Sequence, residues 1–321
     1  MSTPPTLGDV QVAAATIAAG VTRTPLVRAE ALDEIAGAPV WLKAELLQHT
    51  GSFKLRGALN RMQALSAAER AAGVVTVSAG NHAAAVARAG ALTGTDVLVL
   101  MPRAASATKV AATRGYGATV DLASADATEA FARMQAVMAE TGRIVIHPFD
   151  DPAVIAGAGT VGLEIADDLP DVDLVVCPVG GGGLLSGIAT ALAGLAPDAR
   201  LVAVQPQATG TLVASLEAGA PTRIAPQPTI ADALTPPAVG GLPLAILRDR
   251  LAGVVVLDED QLAAGFRLAY ARGRLAPEPG GSAAIGALAA GLVDTAGARN
   301  VVCVVSGGNV DPALAAALLA A

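Results

Sequence analysis

The run Leu174-Val175-Val176-Cys177-Pro178-Val179, then Gly180-Gly181-Gly182-Gly183, then Leu184-Leu185-Ser186-Gly187-Ile188-Ala189-Thr190-Ala191-Leu192 decides the fold class. Its first six residues are apolar on both faces, as in a strand buried within a parallel sheet and unlike a strand with one wet face. The residues after the glycines are rich in Ala and Leu and long enough for a helix. Four successive glycines let several backbone N–H groups converge on one anion, and the helix start behind them adds its dipole. We read this turn as a phosphate cradle; a flexible turn is the plainer alternative. The loop lacks the Walker lysine and Ser/Thr, which counts against a nucleoside triphosphate. It also lacks GxGxxG spacing and an acidic residue closing the next strand, where Gln205 stands, which counts against a dinucleotide.

Working outward, the same alternation runs along the chain. Strands are predicted at Val40 to Lys43, Val74 to Val77, Val97 to Met101, Thr119 to Leu122, Ile144 to Ile146, Leu201 to Val204, Val254 to Leu257 and Val301 to Val305. Ala-rich stretches with helical spacing lie at Asn81 to Leu92, Ser106 to Arg114, Ala125 to Glu140 and Asp260 to Arg272. Strands alternating with helices predict an α/β protein with a parallel sheet covered on both faces, in one or two copies. The pattern breaks around Leu65 to Gly73 and at His147 to Pro152. These breaks place a small domain at 69–147 and a large domain built from 1–68 and 148–321, with a cleft between them.

Three further turns carry chemistry. In Gly51-Ser52-Phe53-Lys54-Leu55-Arg56-Gly57 a lysine stands between Phe53 and Leu55. A desolvated amine loses its charge and becomes a nucleophile toward aldehydes. From this heptad alone, a surface lysine at a helix start reads equally well. Ser78-Ala79-Gly80-Asn81-His82 ends one predicted strand and opens a helix whose free N–H groups can bind a carboxylate; a plain helix cap is the alternative. Ser306-Gly307-Gly308-Asn309 follows the last predicted strand, where a plain glycine turn is the alternative. All four turns stand at or beside C-terminal strand ends, where open parallel sheets bind ligands.

Composition narrows the function classes. The 321 residues are 53% hydrophobic but only 2% aromatic, and the formal net charge is −7. With no basic cluster, nothing in the chain invites nucleic acid or an anionic membrane. No apolar run of about eighteen residues reads as a membrane span, and Met1 to Val21 lacks the basic and apolar regions of a signal peptide, so a cytoplasmic protein is expected. Cys177 and Cys303 each sit within a core-like run, which argues against a disulfide, and His49, His82 and His147 form no metal-binding pattern.

Taken with RTPL at 23–26, MPRAASATKVAATRGYGATV at 101–120, HPFDDPAVIAGAGTVGLEI at 147–165, TIADAL at 229–234 and VSGGNVD at 305–311, these motifs resemble fold-type II pyridoxal-phosphate enzymes, in the threonine/serine dehydratase and serine racemase branch. The resemblance spans nearly the whole chain. It implies a tryptophan-synthase-β-like fold of two open parallel-sheet domains with helices on both faces, in a homodimer or homotetramer. It implies pyridoxal phosphate held by Lys54 as a Schiff base, its phosphate on Gly180, Gly181, Gly182, Gly183 and Leu184, its ring hydroxyl at Asn81, its pyridine nitrogen facing Ser306, and Phe53 packed alongside. Substrate would meet Ser78, Ala79, Gly80, Asn81 and His82. The freed Lys54 would take the α-proton, and a β-hydroxyl would leave, giving a 2-oxo acid and ammonia.

Departures from the family pattern sharpen these expectations. Racemases of this kind carry Ser where this chain has Ala79, so one-base elimination is favoured over racemisation, and the HPFDDP segment speaks against β-replacement. Metal-activated relatives use carboxylates where Gln205 and Thr211 stand, so no metal site is expected. Ala158 and Ala233 replace a usual Gln and Gly; Ala233 is expected to add a methyl group near the cofactor wall. A non-catalytic pyridoxal-phosphate-binding protein is the alternative of another class.

Overall fold

The computed structural model describes residues 3–225 and 227–321; Met1 and Ser2, the start of the Met1 to Val21 stretch and of the expected large domain, lie outside them. Among the described residues the strands are β1 (Leu26–Arg28), β2 (Val40–Ala44), β3 (Val74–Val77), β4 (Val97–Leu100), β5 (Thr119–Asp121), β6 (Ile144–Val145), β7 (Leu174–Pro178), β8 (Arg200–Pro206), β9 (Leu251–Leu257) and β10 (Val301–Val305). The helices are α1 (Leu7–Ile17), α2 (Asp33–Ala36), α3 (Lys54–Gln63), α4 (Ala67–Ala72), α5 (Asn81–Thr93), α6 (Ala107–Gly115), α7 (Ala127–Thr141), α8 (Pro152–Asp168), α9 (Gly183–Leu195), α10 (Thr211–Ala218), α11 (Gly241–Leu247), α12 (Glu259–Ala271), α13 (Ala283–Ala289) and α14 (Pro312–Ala320).

Two sheets result, one in the order β1-β2-β10-β7-β8-β9 and one in the order β5-β4-β3-β6. Their central strands are apolar on both sides because helices cover both faces. Val301, Cys303 and Val305 of β10 join a core with α12 and α13, while Val302 and Val304 join a second core with α8, α9 and α11. The smaller sheet repeats the arrangement, with Val97 and Val99 facing α3, α5 and α6, and Val75 and Leu100 facing α7. Each Val or Leu so buried contributes roughly 1.5–3 kcal/mol. Helix crossovers between strands make nearly every pairing parallel.

The structure departs from the sequence expectation in three places. The larger sheet is mixed, because β1, which was not predicted, pairs antiparallel with β2 at the edge. Only three residues long and following Pro25, it offers no periodicity to read. Strand β2 runs one residue past the expected Val40 to Lys43 and stops at Ala44, where Glu45 turns inward to meet Arg56. Strand β9 is not buried on both faces but alternates along the open edge of its sheet. Cys177 and Cys303 are buried free thiols whose pKa values burial pushes up. Among the described residues no helix is long and apolar enough to cross a membrane.

Candidate active site

Three turns that leave C-terminal strand ends interlock, and the fourth, Gly180 to Gly183, is joined to them through Pro148 and Phe149. Backbone hydrogen bonds stitch two of them: Phe53 N donates to Ser306 O at 3.1 Å and Gly308 N to Gly51 O at 2.9 Å. Gly51 is in the left-handed region (φ 71°), and a side chain there would strike Asn309, so only glycine lets the turns close this far. Lys54 is thereby fixed at the first position of α3.

The Lys54 amine is part-buried and donates to the carbonyl of Pro148 at 2.8 Å, with the Phe53 ring centroid 5.0 Å away. No carboxylate salt-bridges it among the described residues. Burial brings its pKa down to about 8, opposed by the more distant Glu278 carboxylate. Burial alone does not mark this lysine. Lys43 is more deeply buried, yet it donates to Glu164 at 2.6 Å and to Thr24 O at 2.7 Å. Together with Arg56, which binds Glu45 and Glu164, it forms a neutral buried quartet anchoring the start of α3. A charge held by opposite charges is structural; an amine facing only a carbonyl is free to react.

Gly180 to Gly183 run from β7 into α9, and no protein acceptor among the described residues takes the backbone N–H groups of Gly180 to Leu184. The loop is closely walled. A Cβ on Gly181 would collide with the Phe149 ring, one on Gly182 would lie 2.7 Å from Pro243, and one on Gly180 3.1 Å from Pro236. The His147 to Pro152 segment is pinned there because Asp150 accepts from Gly241 N and Leu242 N. Free N–H groups at the start of a 13-residue helix, beside an amine that readily loses its charge, suit a phosphate and an aldehyde on one small molecule.

Ser78 accepts from Gly80 N at 3.2 Å, and the N–H groups of Asn81 and His82 start α5 without an acceptor, so this turn can receive a carboxylate through its backbone. The His82 ring does not share in this. It is buried, its Nε2 lies 2.9 Å from Ile146 O, and burial lowers its pKa to about 3, so it is neutral and turned away. Asn81 is held between Glu278 and Asn309, and Ser306 is buried with its hydroxyl unbonded. Beside Lys54 the hydroxyls of Thr50 and Ser52 are buried with no partner among the described residues, as expected of a site shaped for a polar ligand.

Ala158 lies in the core behind α9, and Ala233 is exposed in the 3-10 turn Asp232–Leu234, whose Leu234 backs Gly180; Ala231, two residues earlier, is buried. Gln205 spends its whole amide within the protein: Oε1 accepts from Leu212 N, and Nε2 donates to Val179 O and lies 3.3 Å from Thr211 Oγ1. Sequence reading missed Glu278 and the quartet of Lys43, Glu45, Arg56 and Glu164. The signal for Glu278 was present as an acid between two prolines ahead of Gly280-Gly281-Ser282. A cavity of about 610 Å³ opens elsewhere, over Arg56 and Glu164, and no candidate site residue lines it.

Comparison with known proteins agrees with this chemistry. A family model described as pyridoxal-phosphate dependent enzyme matches residues 17–307. An L-threonine ammonia-lyase of Thermotoga maritima is 39% identical over 306 residues, covering 95% of this chain and 76% of the relative. The solved structure of the threonine deaminase from T.th. superposes with a TM-score of 0.89 at 40% identity, covering 96% of this chain and 99% of that one. Maize serine racemase superposes with a TM-score of 0.90 at 34% identity, covering 97% and 96%. The chain belongs to the pyridoxal-phosphate-dependent enzyme family, and pyridoxal phosphate is its cofactor.

Proposed function

We propose that this protein is a pyridoxal-phosphate-dependent ammonia-lyase that converts L-threonine, L-serine or a related β-hydroxy amino acid to a 2-oxo acid and ammonia by α,β-elimination. The observation that carries the reading is the Lys54 amine, donating to a carbonyl, without a salt bridge among the described residues and with its pKa brought down to about 8. Relatives named for threonine deamination, 37–40% identical over nine-tenths of the chain or more, support it.

Bound pyridoxal phosphate supplies an aldehyde for amines and a ring that stores the electron pair left when the α-proton departs. The N–H groups of Gly180 to Leu184 would hold its phosphate, Ser306 would offer its hydroxyl to the ring nitrogen, Phe53 would pack alongside, and Asn81 would meet the ring hydroxyl. The backbone of the Ser78 to His82 turn binds the substrate carboxylate. Lys54, whose pKa burial brings down to about 8, takes the proton from Cα. Ser306, a hydroxyl and not a carboxylate, would hydrogen-bond the ring nitrogen without charging it, an environment that would favour elimination of a β-hydroxyl. Ala79 has no proton to offer on the opposite face, which disfavours racemisation. The same reading divides the chain into a large domain (1–68 and 148–321) and a small domain (69–147) about the cleft, acting in the cytoplasm as a homodimer or homotetramer.

Incubation with L-threonine and L-serine, followed by 2-oxo acid formation, tests the activity. Lys54→Ala is expected to lose both turnover and the visible absorbance of the bound cofactor. Retained absorbance, or borohydride fixing the cofactor on another lysine, overturns the assignment.

A further inference from the structure

Glu278 is the buried acid that the mechanism leaves unused. It is 3% exposed, and burial of a carboxylate costs several kcal/mol unless a cation or hydrogen bonds compensate. Glu45 and Glu164 solve this with Arg56. Glu278 has no such partner among the described residues: its side chain is held by Asn81 Nδ2, which donates to Oε1 at 2.6 Å. Burial lifts its pKa to about 7, with Asp232 pushing the same way and Asn81, Lys109 and Lys54 pulling it back.

The neighbouring contacts fix the direction of every bond in the chain that follows. Asn309 Nδ2 donates to Thr50 O at 2.8 Å, which identifies that end of the amide as its nitrogen, and it also donates to Asn81 Oδ1 at 2.7 Å. Asn81 therefore spends its oxygen on Asn309 and one N–H on Glu278. One N–H of the amide remains, and the amide cannot flip without losing both bonds. Gly307 permits the convergence, since a Cβ there would strike Glu278 Oε1 and lie 3.1 Å from Ser52 Cβ and 3.2 Å from Asn81 Nδ2.

We infer that Glu278 is a positioning residue of the Lys54 site, clamping the Asn81 amide so that its free N–H faces the cofactor ring oxygen and placing a carboxylate that favours the protonated Lys54 amine. The inference rests on the proposed seat of the cofactor on Lys54. Its charge and its clamp separate by substitution. Glu278→Gln keeps an oxygen for Asn81 and removes the charge; Glu278→Ala removes both.

The readout is the rate at which cofactor-free protein captures pyridoxal phosphate, followed by visible absorbance across pH. The wild-type rate should rise with a midpoint near 8, as Lys54 deprotonates. In Glu278→Gln the midpoint should fall by about one pH unit, the scale for losing an opposite charge several Å away. Glu278→Ala should in addition weaken cofactor binding about tenfold, the scale of one charge-assisted hydrogen bond. In an Asn81→Ala background it should weaken binding no further. An unshifted midpoint in Glu278→Gln, or full additivity with Asn81→Ala, overturns the inference. If Glu278→Ala fails to fold, the Glu278→Gln midpoint decides alone. Borohydride trapping in the wild type keeps the two readings apart: cofactor on Lys54 with unshifted variants sinks only the role of Glu278, whereas cofactor on another lysine sinks the proposed function.

Discussion

Gly187→Ala should destabilise this protein although it replaces glycine by the best helix former. In an open helix the change would stabilise by about 1 kcal/mol, because alanine loses less backbone entropy on folding. Gly187, however, sits where α9 crosses α8. A Cβ there would lie 2.5 Å from Ile155 O and 2.8 Å from Gly159 Cα, and closer still to Gly159 N. Ordinary contact begins near 3.4 Å, so the two backbones must part by about 0.9 Å at Ile155 O. None of these atoms ends a flexible side chain, so no rotamer change relieves the clash, and overpacking of this kind costs about 1–3 kcal/mol. With the cost near the upper end, the net loss is about 1–2 kcal/mol, or about 2–6 °C in Tm. Thermal unfolding by circular dichroism measures it. Gly115→Ala is the control: it lies in α6 with nothing within 4 Å and should hold or raise Tm. A Gly187→Ala protein as stable as wild type, beside a stabilised Gly115→Ala, would refute the argument that backbone contact sets the α8–α9 spacing.

Two further outcomes follow from buried groups. His82 is neutral in the fold with its pKa lowered to about 3, so between about pH 3 and 6.5 the folded protein binds fewer protons than the unfolded chain, and stability drains away as pH falls through that window. Urea unfolding between pH 7 and 4 should show wild type losing more stability than His82→Gln, and parallel curves would contradict it. Because Gln205 spends its whole amide on Leu212, Val179 and Thr211 and brings no anionic oxygen, EDTA and added magnesium should leave 2-oxo acid formation unchanged; an absolute magnesium requirement would overturn that account.

Much of this architecture is legible in local pattern. Strand β10 falls at Val301 to Val305 as predicted, and α5, α6, α7 and α12 fall within two residues of their predicted ends, because burial on two faces and helical spacing are properties of short stretches. The tetraglycine stands where it was placed, between β7 and α9. What failed had a non-local cause. Strand β1 exists only because β2 offers it an edge. Glu278 meets Asn81 across 197 residues of sequence.

The sequence by itself determined the fold class, the family and the four turns, since each is written in consecutive residues that carry their own hydrogen-bonding and burial requirements. Tertiary structure alone decided which buried lysine is free: Lys43 is quenched by Glu164, 121 residues away, while Lys54 meets only a carbonyl. It decided too that His82 turns inward and that Glu278 takes hold of Asn81. Charge and desolvation act through space, and which partner lies within a few ångströms is set by how the chain packs, not by its order.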